Sequence, residues 1–156
     1  MSNIVEAADN FIFQLFKDKL PSTFGYHNYT HSKRVYKSIN EIIENSQFDV
    51  KDATILRLAA LLHDTGYIIG RENHEEGSVK IANKFLKEHN VDDDIINGVE
   101  KCILATKFKD TTPQSELEKA IRDADSSHFG KDYFEEASEF LRQEYLFQKV
   151  HNYTSR

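Results

Sequence analysis

Apolar residues recur at three- and four-residue spacing along most of this 156-residue chain, the period of a helix that buries one face. Ile4, Phe11, Ile12, Leu15 and Phe16 predict a first amphipathic helix ending near Pro21. A turn-rich stretch, Pro21 to Tyr29, is expected next, with Thr30 placed to cap a second helix whose inward stripe is Val35, Ile39, Ile42 and Ile43. His31, four residues before Val35, falls on that stripe. A third segment, about 52 to 66, is apolar around most of its circumference and predicts the central helix. Gly66 and Gly70 interrupt it. Two amphipathic helices follow, from roughly Glu75 to Glu88 and from about 92 to 106. A polar loop, 107 to 114, leads into a helix through Leu117, Ala120, Ile121 and Ala124, and a last helix is expected from about Lys131, packed by Tyr133, Phe134, Phe140, Tyr145 and Phe147. No alternating run predicts a strand. The pattern therefore predicts an all-α bundle of six or seven helices, a single domain over 1–156, without internal repeats.

Composition narrows the functional classes. With 39% apolar residues the chain can build a substantial core. Its 26 acidic and 20 basic residues leave a formal charge of −6, which argues against a general grip on nucleic-acid backbone. Cys102 is the only cysteine, so neither a disulfide framework nor a multi-cysteine zinc site is available. The start, Met1-Ser-Asn-Ile-Val-Glu6, has neither the basic nor the apolar region of a signal peptide, and no run is long enough to span a bilayer, so a cytoplasmic protein with no membrane partner is expected.

The chemistry concentrates at His63-Asp64. Ala59, Ala60, Leu61 and Leu62 run directly into the pair, so an ionised aspartate there has lost much of its water and sits near a helix C-terminus that favours cations. No Lys or Arg lies within four residues on either side. A bound divalent ion is the simplest counter-charge. Further candidate ligands are His31, His74 and the Asp123-Ala124-Asp125 segment, each on or beside an inward helical face where a bundle core could gather them. By register Asp125 points inward, four after Ile121, whereas Asp123 is rotated away and is expected as a supporting partner. Two imidazoles with two carboxylates suit Mn²⁺, Fe²⁺, Mg²⁺, Co²⁺ or Ni²⁺, and zinc is also compatible.

Tyr26-His-Asn-Tyr-Thr-His31, Leu61-Leu-His-Asp64-Thr-Gly66, Asn73-His-Glu-Glu76 and Ile121-Arg-Asp-Ala-Asp125, in this order and spacing, resemble the HD superfamily of metal-dependent phosphohydrolases. More narrowly they resemble its small bacterial predicted metal-dependent phosphohydrolase group, over about residues 24 to 150. The resemblance implies an HD-type helical fold and a phosphorylated, nucleotide-like small-molecule substrate. It implies that His31, His63, Asp64 and Asp125 are the four ligands of a principal metal. His27 matches the histidine that related cyclic-nucleotide phosphodiesterases use to protonate the leaving oxygen. His74 matches one that faces the site or helps hold a second metal, so one ion or two are expected.

This chain also departs from the pattern. Leu104-Ala-Thr-Lys107 stands where two-metal branches often place another histidine, which argues against a complete second site and supplies a cation instead. The resemblance also implies a longer C-terminal end, and it assigns no role to His128. The chemistry it implies is attack of water on phosphorus, with Asp64 orienting that water and taking its proton and His27 protonating the departing alkoxide. Lys107 and Arg71 are candidates to neutralise the non-bridging oxygens. Three other readings fit some of the same residues: a metal-bound nucleotide-sensing or partner-binding module with little turnover, against which the intact His27 argues; a di-iron oxidative enzyme of the same fold; and a purely structural helical protein.

Overall fold

The computed structural model describes residues 2–20, 22–70, 72–107 and 112–126, and within them all side chains but those of residues 2, 3, 22–24, 26 and 27. Arg71, His128 and the expected last helix from Lys131, with its aromatic residues, lie outside the described residues. Among those described there are six α-helices, a short 3₁₀ turn and no strand, the all-α bundle that the hydrophobic periodicity predicts.

Helix α1 spans Ser2–Lys19 and buries Ala8, Ile12 and Phe16. Helix α2 spans Ser22–Glu44, so the stretch expected as turns up to Tyr29, and Thr30 as a cap, are corrected: Thr30 lies inside a helix. Ser22, Thr23, Gly25 and Asn28 are poor helix formers, and tertiary contacts override that preference. A Cβ at Gly25 would stand 2.6 Å from the Phe16 carbonyl oxygen, so only glycine lets α2 approach α1 this closely. Further along the same helix, the Tyr29 hydroxyl donates to Asp9 Oδ1 at 2.8 Å.

Helix α3, Val50–Leu62, is the central element: Ala53 to Leu56 and Leu58 to Leu62 are all buried, and it packs against the other five helices. Its N-cap, Asp49, accepts the Asp52 backbone N–H at 2.7 Å. The helix ends at Leu62, not near residue 66, because the chain tightens into the 3₁₀ turn Thr65–Ile68. Thr65 Oγ1 donates to the Leu62 carbonyl at 2.8 Å, occupying one of the terminal acceptors a helix leaves open.

Helix α4, His74–Glu88, closes with Asn90 in the left-handed region (φ 58°) while the Val91 N–H reaches back to Leu86 O and the Asn90 N–H to Lys87 O. This is a C-terminal arrangement in which asparagine replaces the usual glycine. Helix α5, Asp93–Ala105, and α6, Glu116–Ser126, complete the bundle. Arg122 Nε donates to the Ala105 carbonyl at 2.9 Å, which fixes α6 against the end of α5. With Ala120, Ile121 and Ala124 buried, that register turns Asp125 into the core. No helix among the described residues is long and apolar enough to cross a membrane.

Candidate metal centre

Three helices deliver their side chains to one point. His31 comes from the middle of α2, His63 and Asp64 from the end of α3, and Asp125 from the last turn of α6. His31 Nε2 lies 3.1 Å from Asp125 Oδ1 and 3.6 Å from Asp64 Oδ2. His63 Nε2 lies 3.3 Å from Asp125 Oδ1 and 3.4 Å from Asp64 Oδ1. His63, Asp64 and Asp125 are buried, and His31 and His74 are partly exposed at the rim.

The state of His63 decides what this point can hold. Its Nδ1 lies 2.8 Å from the Ala60 carbonyl. A carbonyl only accepts, so Nδ1 carries a proton, and whenever the ring is neutral its Nε2 lone pair is directed between the two carboxylates. That nitrogen is fully buried and has no hydrogen-bond partner among the described residues, a costly arrangement unless a cation shares it. His31, His63 and Asp125 each offer one ligand atom, all within 4.8 Å of one another. Atoms that bind one ion at about 2.1 Å in right-angled positions stand about 3.0 Å apart, close to the separations observed. The donor set therefore fits a divalent metal.

The electrostatics of these side chains lead to the same conclusion. Burial disfavours a charged His63, but Asp64 and then Asp125 outweigh it and raise its pKa to about 9. Burial likewise pushes the Asp64 carboxyl up, yet His63, His74 and His31 hold it well below the usual carboxylate range. Asp125 behaves the same way, with the His31 hydrogen bond the leading counterweight to burial. In all three groups the charged form wins through neighbours of opposite sign, so a proton on His63 occupies the place a metal would take. Metal uptake near pH 7 is then expected to expel about one proton per ion, with affinity rising about tenfold per pH unit and levelling above about pH 9. Calorimetry in buffers of different ionisation enthalpy measures that proton directly, and uptake without proton release would contradict the assignment.

Around this core, His74 stands at the first position of α4 with Nε2 3.4 Å from Asp64 Oδ1. Asp64 Oδ1 thus lies equally far from His63 and His74 and links the two imidazoles. Lys107 is held elsewhere on α4: its ammonium meets Glu76 Oε2 at 2.5 Å and Asn73 Oδ1 at 3.3 Å, and it lowers the pKa of Glu76. Asp123, expected as a supporting partner, is exposed, and the contacts of Asp125 Oδ1 come from His31 and His63 instead. His27 occupies a backbone position one helical turn before His31 on α2, and its side chain lies outside the described set.

Two participants escape periodicity. Ser78 is fully buried, accepts the Gly66 N–H at 2.7 Å and donates to the His63 carbonyl at 2.7 Å, joining α4 to the backbone of a candidate ligand. Tyr67 stacks on the His74 ring, with centroids 4.2 Å apart and planes 20° from parallel. The small residues Gly66, Gly77 and Ser78 signal close packing of two segments, but nothing in the spacing says against what.

Comparison with known proteins agrees with this geometry. The HD domain family model matches residues 28–130, a span that contains His31, His63, Asp64, His74, Lys107 and Asp125 and begins one residue after His27. No curated protein and no solved structure matches the chain. Since the family match covers about two thirds of the sequence and its histidines and aspartates converge on a site fitted for a divalent ion, the chain belongs to the HD domain family, whose members are in general metal-dependent phosphohydrolases.

Proposed function

We propose that this centre hydrolyses a phosphate ester, phosphoanhydride or phosphodiester bond in a small nucleotide-like molecule, with one divalent ion or two. The observation that carries the reading is His63 Nε2, buried, without a hydrogen-bond partner among the described residues and directed between two ionised carboxylates. His31, His63, Asp64 and Asp125 would hold the principal ion, drawn from Mn²⁺, Mg²⁺, Fe²⁺, Co²⁺, Ni²⁺ and Zn²⁺. His74, at the shared oxygen of Asp64, is the first candidate to help hold a second. Such an ion supplies Lewis acidity towards a phosphoryl oxygen and lowers the pKa of water from 15.7 to roughly 7.

The chain's own residues supply the rest. Asp64 orients the attacking water and receives its proton. His27 gives a proton to the leaving oxygen, a task suited to an imidazole near its ordinary pKa. Lys107, already oriented by Glu76 and Asn73, together with Arg71, offsets charge on the non-bridging oxygens.

A phosphate-release screen across nucleotides, with Mn²⁺ or Mg²⁺ added, tests this when paired with elemental analysis. Asp64→Ala is expected to lose both metal and turnover. His27→Ala is expected to keep the metal and slow turnover by about 10²- to 10⁴-fold, most for poor leaving groups. An emptied site in His27→Ala would refute the acid role, and metal without turnover on any substrate would make the protein a binding module.

A further inference from the structure

His74 has two carboxylates competing for one nitrogen. Its Nε2 is 3.4 Å from Asp64 Oδ1 and also 3.4 Å from Glu75 Oε2, so attraction alone does not select the ring orientation that serves Asp64. The side chain is partly exposed, at 17%, and the imidazole has two torsions through which to turn outward. An aromatic face lies against the ring and opposes that turning.

The Tyr67 ring lies 4.2 Å from the His74 ring, centroid to centroid, and within 20° of parallel. Tyr67 is itself anchored. It sits in the 3₁₀ turn, where its N–H donates to the Asp64 carbonyl at 3.1 Å. The residue before it, Gly66, is bonded to Ser78 of α4 and pressed so closely on that helix that a Cβ would fall 1.8 Å from the His74 carbonyl oxygen. Turn and helix therefore behave as one body, with the Tyr67 ring fixed relative to both Asp64 and the first turn of α4.

We propose that Tyr67 is a positioning residue of this centre: its ring face holds the His74 imidazole in the orientation that presents Nε2 to Asp64 and not to Glu75 alone. Tyr67 acts through His74 and touches no reacting atom. The inference rests on the hydrolase reading of the centre only for its kinetic consequence. Its structural part, the orientation of one imidazole, stands on the stacking geometry.

The test compares the full chain with Tyr67→Phe, which keeps the ring and drops the hydroxyl, and Tyr67→Leu, which removes the face. Long-range ¹H–¹⁵N spectra in Mg²⁺ report the His74 ring, and metal content and turnover of p-nitrophenyl and bis-p-nitrophenyl phosphate with Mn²⁺ are measured alongside. In Tyr67→Leu the NOEs from the His74 ring protons to Asp64 are expected to weaken, a change separate from the ring-current shielding that any loss of the aromatic ring removes. Its kcat is expected to fall about 10- to 100-fold, the scale of a small misplacement near reacting groups, while KM and metal content hold. Tyr67→Phe is expected to match the wild type in every readout. Unchanged NOEs between the His74 ring and Asp64 in Tyr67→Leu, wild-type kcat in that variant, loss of its metal, or equal damage in Tyr67→Phe would each overturn the proposal. If the wild-type chain releases no phosphate from any substrate, the hydrolase reading fails, and the NOEs between the His74 ring and Asp64 alone then decide whether Tyr67 positions the ring.

Discussion

Asp125→Ala is expected to weaken divalent-metal binding by at least about 100-fold, because loss of a group that merely supports a ligand already costs about 10- to 100-fold. Asp125 Oδ1 is the atom on which two helices meet: His31 Nε2 lies 3.1 Å away and His63 Nε2 3.3 Å. Removing the carboxylate takes one negative charge from a nearly water-free site and leaves Asp64, among the described residues, as the carboxylate still within 4 Å of both imidazoles. The fold should survive, since α6 is seated by Ala120, Ile121 and Ala124 and tied by Arg122 to the end of α5. Elemental analysis and a Mn²⁺ titration beside a thermal melt separate the two effects. A variant that melts like the wild type but binds no metal supports the assignment, whereas wild-type stoichiometry would remove Asp125 from the ligand set. Asp125→Asn, which keeps the shape and loses the charge, should fall between the two.

Gly66→Ala should damage the protein more broadly. The added Cβ would stand 1.8 Å from the His74 carbonyl oxygen and 2.7 Å from the Ser78 nitrogen, and both are backbone atoms of α4 that no rotamer change can move. Overpacking a core costs about 1–3 kcal/mol and occasionally more, and a clash with helix backbone belongs at the upper end. A loss of about 3 kcal/mol corresponds to a fall in Tm of about 6–12 °C for a chain of this size. The displaced turn carries the Asp64 end of the His63-Asp64 pair, so metal affinity should fall as well. Gly77→Ala provides the scale. Its Cβ would meet Gly66 Cα and Ile69 Cδ1 at 3.2 Å, where a few tenths of an ångström of adjustment suffice, so its melt should stay closer to the wild type. A Gly66→Ala protein with the wild-type Tm would mean that the turn and α4 are not rigidly clasped.

Much of the centre was legible because it depends on local pattern. An aspartate at the end of an unbroken apolar run needs a counter-charge wherever the rest of the chain goes, so His63-Asp64 declared itself without any partner. His31 and Asp125 followed from four-residue register with Val35 and Ile121, since helical geometry fixes which residues share a face. The same reasoning failed at Pro21 to Tyr29. There glycine, serine, threonine and asparagine read as a turn, yet the close approach of α2 to α1 at Gly25 and the bond from Tyr29 to Asp9 hold residues 22–29 in a helix.

Taken alone, the amino-acid sequence determined the all-α architecture, the central position of α3 and the types of side chain available to a metal, because periodicity and burial are properties of single helices. Only the tertiary structure decided which of those side chains meet. It set the linking role of Asp64 Oδ1 between His63 and His74, the pairing of Lys107 with Glu76, the exposure of Asp123, and the contacts of Ser78 and Tyr67. Each of these is a distance between segments remote in sequence. Such distances depend on how closely two helices approach, and at Gly25 and Gly66 that approach is permitted by the absence of a side chain, whose meaning appears only when the opposing backbone is in place.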